Sequence, residues 1–360
     1  MRVLTLYAGP RALARLRDGP PQPADVRVIP AAAGGPKGLA LNPLDRFLFG
    51  RWLAGSAHTV HLLGASIGAW RMACAALPDP DAALAELAED YITQHYEHAP
   101  GKPPTPAAVS RAFGEKLDQR LGTRAAEVLA SPRYRLHVFT SRGRHLLARQ
   151  GRWRTPAGYL GAFVSNALHR QALGLWLERV VFSDPRTPLP FALGDYRSRQ
   201  VALDAQNLAP AVLASCSIPF WLDAVHDLPQ APRGAYWDGG ITDYHLHLNY
   251  AAMDDGEGEG LVLYPHFQRQ VVPGWLDKPF KRRHRAGAAL DNVLLLAPDP
   301  AWVATLPGGK LPDRADFKRF QHDEAGRIAV WRRALAESQR LADDFGDWVN
   351  GAPGFEIRPL

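Results

Sequence analysis

Cysteine is scarce, with two in 360 residues. Cys74 and Cys216 do not form the Cys-x-x-Cys spacing of a redox pair or a zinc site, so both read as reduced packing residues. Long apolar runs are missing as well. No stretch approaches the ~18 apolar residues of a transmembrane helix. The first residues lack the continuous apolar core of a signal peptide, so the expectation is a cytoplasmic chain. Charge of one sign is hardly in excess: 42 Lys and Arg against 36 Asp and Glu leave +6. That is a mild preference for anionic surfaces, and no nucleic-acid-binding motif accompanies it. No repeat of a known period occurs, which sets solenoids and propellers aside. What is present is apolar content: 46% hydrophobic residues over this length can bury a substantial core.

The distribution of those residues is that of an α/β sheet. Short β-branched or apolar runs at 26–31 and 58–63 are each followed at once by small residues and a helical pattern. Further helical patterns lie at 69–77, 81–95, 105–121, 161–181 and 207–216, and candidate strands at 134–140, 258–266 and 291–297. Pro-rich stretches at Gly19–Pro23 and Ala99–Pro106 read as loops, and Asp254–Gly260 as an acidic Gly-rich turn. Residues 324–348 carry an amphipathic helical pattern through Ile328, Trp331, Leu335 and Leu341.

Three segments carry chemistry. The first is Gly64-Ala65-Ser66-Ile67-Gly68, between the second strand and a helix. A serine hydroxyl becomes a usable nucleophile when a sharp strand-to-helix turn holds it exposed, and the turn closes only if its neighbours lack bulk. The helix that follows aims its positive end at Ser66, where an oxyanion would develop. The second is Ala32-Ala33-Gly34-Gly35-Pro36-Lys37-Gly38, after the first strand. Consecutive glycines let backbone N–H groups converge on one oxygen. Pro36 has no N–H, so Gly34 and Gly35 are the candidate donors, with the Ile67 N–H beside them and Lys37 adding positive charge. The spacing matches neither the P-loop nor the dinucleotide fingerprint; a purely structural turn stays open. The third is Asp238-Gly239-Gly240, after the strand-like Ala235-Tyr236-Trp237. A carboxylate at a strand end suits a base facing a cleft, and equally a tight turn.

In this order these segments resemble the patatin-like phospholipase family. Its glycine loop is Asp-Gly-Gly-Gly-x-Arg-Gly, its elbow Gly-x-Ser-x-Gly and its third motif Asp-Gly-Gly or Asp-Gly-Ala. Ala214-Ser215-Cys216-Ser217-Ile218-Pro219 is similar to the family's Ala-Ser-x-Ala-x-Pro segment. The resemblance covers residues 26–250 and implies a three-layer α/β/α fold with a central, mostly parallel sheet. Residues 1–250 would form the catalytic core, with 251–360 packed on the same domain. It also implies a Ser66–Asp238 dyad without a catalytic histidine, metal or other cofactor, cleaving the carboxylic esters of phospholipids or other acyl lipids. Ala32 and Ala33 stand where the family has Asp and Gly, and Lys37 where it has Arg. Those departures keep alive a catalytically impaired lipid-binding protein.

The 13 histidines also admit a classical Ser-His-Asp esterase. His245 and His247, two apart on one expected strand face, could assist Ser66 or hold a metal, or simply be hydrogen-bonded. Trp275-Leu276-Asp277-Lys278-Pro279-Phe280-Lys281-Arg282-Arg283-His284-Arg285 mixes aromatic and basic residues. Such a run suits docking to an anionic membrane surface, with Trp and Phe entering the interface, and equally a solvated loop. Trp176, Trp221 and Tyr236 read as core residues or acyl-pocket walls.

Overall fold

Runs of Val, Leu, Ile and Ala between glycine- and proline-rich turns form the strands. The computed structural model describes residues 2–96, 104–253 and 260–360. The strands are β1 (Leu4–Ala8), β2 (Val26–Ala31), β3 (Val60–Ala65), β4 (Tyr134–Gly143), β5 (Leu177–Ser183), β6 (Ser198–Ala202), β7 (Val225–His226), β8 (Ala235–Trp237), β9 (Leu261–Pro265), β10 (Val293–Pro298) and β11 (Ile357–Pro359). They build one sheet ordered β11-β1-β10-β9-β2-β3-β4-β5-β6, with β8 also on β4 and β7 on β8. From β10 through β9, β2 and β3 to β4 every pairing is parallel. The antiparallel pairs are β1 with β10, β4 with β5 and β8, and β7 with β8. The fold is therefore α/β with a large, mostly parallel central sheet flanked by helices. Strands β3, β9 and β10 are buried along their whole length, as parallel strands covered by helices on both faces must be. Residues beyond 250 supply β9 and β10, beside β2 in mid-sheet, and the edge strand β11.

Several expected elements differ. The helix expected over 161–181 runs instead over Arg154–Leu168, and Leu177–Ser183 is β5. Glu178 and Arg179 look like the polar positions of an amphipathic helix, yet both are buried, Glu178 against Arg142 and Arg179 against Asp243. Paired charges inside a sheet imitate helical periodicity. The amphipathic stretch at 324–348 is two helices, Glu324–Glu337 and Gln339–Val349. No strand carries His245 and His247: a helical turn, Gly240–Asp243, comes first, and the N–H groups of Tyr244 and His245 then bond the carbonyls of Pro273 and Val272. The acidic turn expected at Asp254–Gly260 lies outside the described residues except for Gly260, as does the loop at Ala99–Pro106 up to residue 103.

Candidate active site

β2 and β3 run parallel and adjacent, so the loops leaving their carboxyl ends meet at the same edge of the sheet, where open α/β sheets bind ligands. β3 ends at Ala65, and the helix Ile67–Ala75 begins one residue after Ser66. The turn between them forces Ser66 to φ 56°, ψ −131°, a conformation that a non-glycine residue adopts only under tertiary constraint. The constraint includes close packing of Gly68 on β2, where a Cβ would stand 2.0 Å from the Ala31 carbonyl oxygen.

Asp238 follows β8, which is held on β4 by antiparallel pairing. Its backbone is fixed on two sides: its N–H donates to the Ser217 carbonyl at 2.9 Å, and its carbonyl accepts from Ser141 Oγ at 2.9 Å. Ser66 Oγ donates to Asp238 Oδ2 at 2.7 Å, and the Gly240 N–H donates to Oδ1 at 2.7 Å. Both side chains are buried. Burial raises the Asp238 carboxyl above the ordinary carboxylate range. The charge of Arg314 opposes that rise, followed by the Ser66 and Gly240 hydrogen bonds.

The glycine loop arrives beside this pair. The Ala33 N–H donates to the Tyr244 carbonyl at 2.9 Å, tying the loop to the chain just past Asp238. Gly35 has φ 57°, the left-handed region that glycine enters without strain. Among the described residues, no protein acceptor takes the N–H of Gly34, Gly35 or Ile67. The Ser66 N–H is already occupied, donating to Ser215 Oγ at 2.8 Å. Gly38 packs against the Ile67 side chain, Gly64 lies near the end of β3 before Ser66, and Gly239 follows Asp238 at the start of the turn Gly240–Asp243.

Lys37 turns its ammonium over the Phe267 ring, 5.2 Å from the centroid, and burial lowers its pKa. The cations acting on Asp238 are Arg314 and Lys278. Arg314 overlies Gly35: a Cβ on that glycine would stand 3.2 Å from Arg314 Nε. Lys278 Nζ sits 4.0 Å from the Tyr244 ring centroid, and burial, then the charges of Arg314 and Lys37, bring its pKa down to about 8. Both line a narrow cleft opening on Asp238, walled by Ile218, Pro219, Tyr244 and Trp275. Sequence reasoning missed Arg314, because nothing near it in the chain marks it. Lys278 was visible only as one member of a basic run.

No histidine among the described residues hydrogen-bonds to Ser66 or Asp238. His245 is buried, its Nδ1 engaged with the Gln270 carbonyl and the Val272 N–H. No group of three or more His, Cys, Asp or Glu among the described residues is arranged to hold a metal ion. Tyr236 is buried in the core, Trp176 is half-buried and Trp221 is exposed. Trp275 walls the cleft and Phe280 stacks on Phe163 at 6.0 Å, so the aromatic members of the basic run face inward.

The family model described as Patatin-like phospholipase matches residues 49–245, more than half of the chain and the whole interval from Ser66 to Asp238. The chain belongs to the patatin-like phospholipase family. Membership brings lipid acyl hydrolysis as the general activity and lipids as the substrates. Among solved structures, VipD from Legionella pneumophila is similar over 96% of this chain and 70% of its own, with 13% identity and a TM-score of 0.38. A comparison with curated proteins gives no match. The matched span of this patatin-like chain leaves out the Gly34–Gly38 loop, Lys278 and Arg314, so their roles rest on geometry. No helix among the described residues is long and apolar enough to cross a membrane.

Proposed function

We propose that the protein is a serine lipid acyl hydrolase of the phospholipase A or lysophospholipase type, working through a Ser66–Asp238 dyad. The observation that carries the reading is the 2.7 Å hydrogen bond from Ser66 Oγ to Asp238 Oδ2 at a strained elbow. Ser66 Oγ attacks the ester carbonyl carbon while its proton passes to the Asp238 carboxylate. The tetrahedral oxyanion lies among the N–H groups of Gly34, Gly35 and Ile67, which among the described residues have no protein acceptor to give up. Collapse expels the alcohol, which takes the proton from Asp238 and leaves an acyl ester on Ser66. Water then attacks that ester, gives its proton to Asp238, and the fatty acid departs as Ser66 Oγ is reprotonated.

An ordinary carboxylate is a weak base toward a hydroxyl. Burial raises the basicity of Asp238, which supports its role. Among the described residues, the triad alternative lacks a histidine hydrogen-bonded to either residue. Lys37 lies over the Phe267 ring, and Arg314 and Lys278 supply the positive charge at the cleft. Two cations there favour an ester whose neighbouring group is anionic, such as a phosphodiester. The proposed setting is cytoplasmic.

The test is fatty-acid release from lysophosphatidylglycerol by the full chain. Release by the wild type that is lost in Ser66→Ala and retained in His245→Ala is the expected result. Release persisting in Ser66→Ala would overturn the assignment, and no release by the wild type would favour the impaired lipid-binding alternative.

A further inference from the structure

Every exposed large hydrophobic side chain among the described residues falls between residues 146 and 221: Leu146, Trp153, Leu160, Val164, Leu168, Leu175, Phe220 and Trp221. Their centre is the helix Arg154–Leu168. Thr155, Gly158, Tyr159, Ala162 and Asn166 face inward, while Leu160, Val164 and Leu168, four residues apart, form an outward stripe. Leu160 is 66% exposed, Leu168 82%, and Trp153, just before the helix, 77%. Isolated surface leucines need no explanation, but a row of them on one helix face does.

The same face is basic. From residue 144 to 177 the chain contains Arg144, Arg149, Arg152, Arg154 and Arg170 and no acidic residue. Arg149 pairs with Asp227 and Arg170 with the buried Asp277. Among the described residues, no carboxylate pairs with Arg152 or Arg154. The segment carrying exposed Lys281, Arg282 and Arg285 is fastened to this helix: Phe280 stacks on Phe163, and Arg283 donates to the Ala167 carbonyl at 3.3 Å. The face also adjoins the reaction site. Phe220 follows Pro219 of the cleft wall and packs edge-on against Tyr159, with ring centroids 5.8 Å apart; Tyr159 in turn meets Trp237, next to Asp238.

We propose that the outward face of the Arg154–Leu168 helix, with Trp153, Phe220 and Trp221, is the surface by which the protein docks on an anionic lipid bilayer. Leu160, Val164 and Leu168 enter the interface, and Arg152, Arg154, Lys281, Arg282 and Arg285 meet lipid phosphates. A second copy of this chain is a poor occupant, because a two-fold interface would bring this basic face against itself. An exposed apolar helix stripe flanked by arginines without a carboxylate partner among the described residues suits an anionic lipid surface. Docked this way, the cleft at Asp238 opens at the bilayer. That orientation rests on the acyl-hydrolase reading; the docking itself does not.

Docking is therefore measured without turnover, in full-length Ser66→Ala protein sedimented with vesicles. The vesicles are equimolar phosphatidylcholine and phosphatidylglycerol, or phosphatidylcholine alone. The expected result is sedimentation with the anionic vesicles, weakened by added salt and reduced roughly tenfold or more by combined Leu160→Ser, Val164→Ser and Leu168→Ser. Arg152→Gln with Arg154→Gln reduces it as well. Circular dichroism melting confirms that these surface variants fold. With Ser66 restored, the triple variant still hydrolyses p-nitrophenyl butyrate, a monomeric soluble ester, at the wild-type rate. The proposal is overturned if the triple variant sediments like its parent, if the parent does not sediment or prefers neutral vesicles, or if the triple change dissociates a dimer without altering vesicle binding. Vesicle binding with no butyrate turnover by the wild type would instead count against the acyl-hydrolase reading alone.

Discussion

Ser215 holds the backbone of Ser66. Its hydroxyl accepts the Ser66 N–H at 2.8 Å and donates to the Phe139 carbonyl at 2.7 Å, linking the elbow to β4 through the helix Leu208–Cys216. The Ser215 carbonyl accepts from the Gly239 N–H at 3.0 Å, so one residue fixes both the Ser66 and the Asp238 backbones. The short distance between Ser66 and Asp238 follows from this common support.

Ser215→Ala leaves the Ser66 N–H buried without its acceptor, at a cost of about 1–3 kcal/mol. The expected outcome is a lower melting temperature and a fall in kcat larger than any rise in KM, because the elbow loses its alignment while the cleft keeps its walls. Thermal denaturation and steady-state kinetics check both. Unchanged kcat in a destabilised variant would reduce Ser215 to a purely structural role.

The pH dependence of kcat/KM on an anionic lysophospholipid should have two limbs. Asp238 must be a carboxylate to accept the Ser66 proton, and its pKa is raised, so activity grows with pH through a midpoint above the ordinary carboxylate range. Lys278 loses its charge at about 8, so activity then falls. In Lys278→Arg the basic limb moves up by more than one pH unit, because the guanidinium stays charged throughout the range. On a neutral short-chain ester, where Lys278 meets no anionic group, the fall near pH 8 is absent and the same substitution leaves the profile unchanged. A basic limb near pH 8 that survives Lys278→Arg on the anionic substrate would remove Lys278 from substrate recognition.

The Ser66 helix is anchored by a buried bidentate ion pair: Arg71 Nε and Nη2 lie 2.7 and 2.9 Å from the two carboxylate oxygens of Asp45. Asp45→Ala strands a buried guanidinium and should destabilise the fold by about 3–5 kcal/mol. Combining Asp45→Leu with Arg71→Met should recover most of that loss, since the desolvation cost of both charges goes with them. Guanidinium denaturation of the single and double variants measures the difference. Equal losses in both would show that packing rather than charge pairing accounts for the cost.

The parts of the protein that were legible in the sequence are those built from local pattern. β2 was bounded to the residue by Val26–Ala31, and the elbow was marked by small residues flanking Ser66, because the turn itself demands them. What escaped was long-range. β5 was hidden because Glu178 and Arg179 are neutralised by partners elsewhere in the chain. Arg314 reaches the cleft from a segment 76 residues beyond Asp238, with no motif to announce it. The basic run at 275–285 reads from sequence as lipid-facing or as a solvated loop, and neither fits the whole of it: tertiary packing half-buries Trp275 and Phe280 and leaves Lys281, Arg282 and Arg285 exposed.

The central claim is that Ser66 is a nucleophile activated by Asp238, and reaction with a fluorophosphonate probe tests it most directly. The account predicts rapid labelling of the wild type at Ser66, none in Ser66→Ala, and labelling slowed roughly a hundred- to ten-thousandfold in Asp238→Asn, where the base is lost but the hydroxyl remains. Folded wild-type protein that does not label, or Ser66→Ala protein that labels at the wild-type rate, would contradict it.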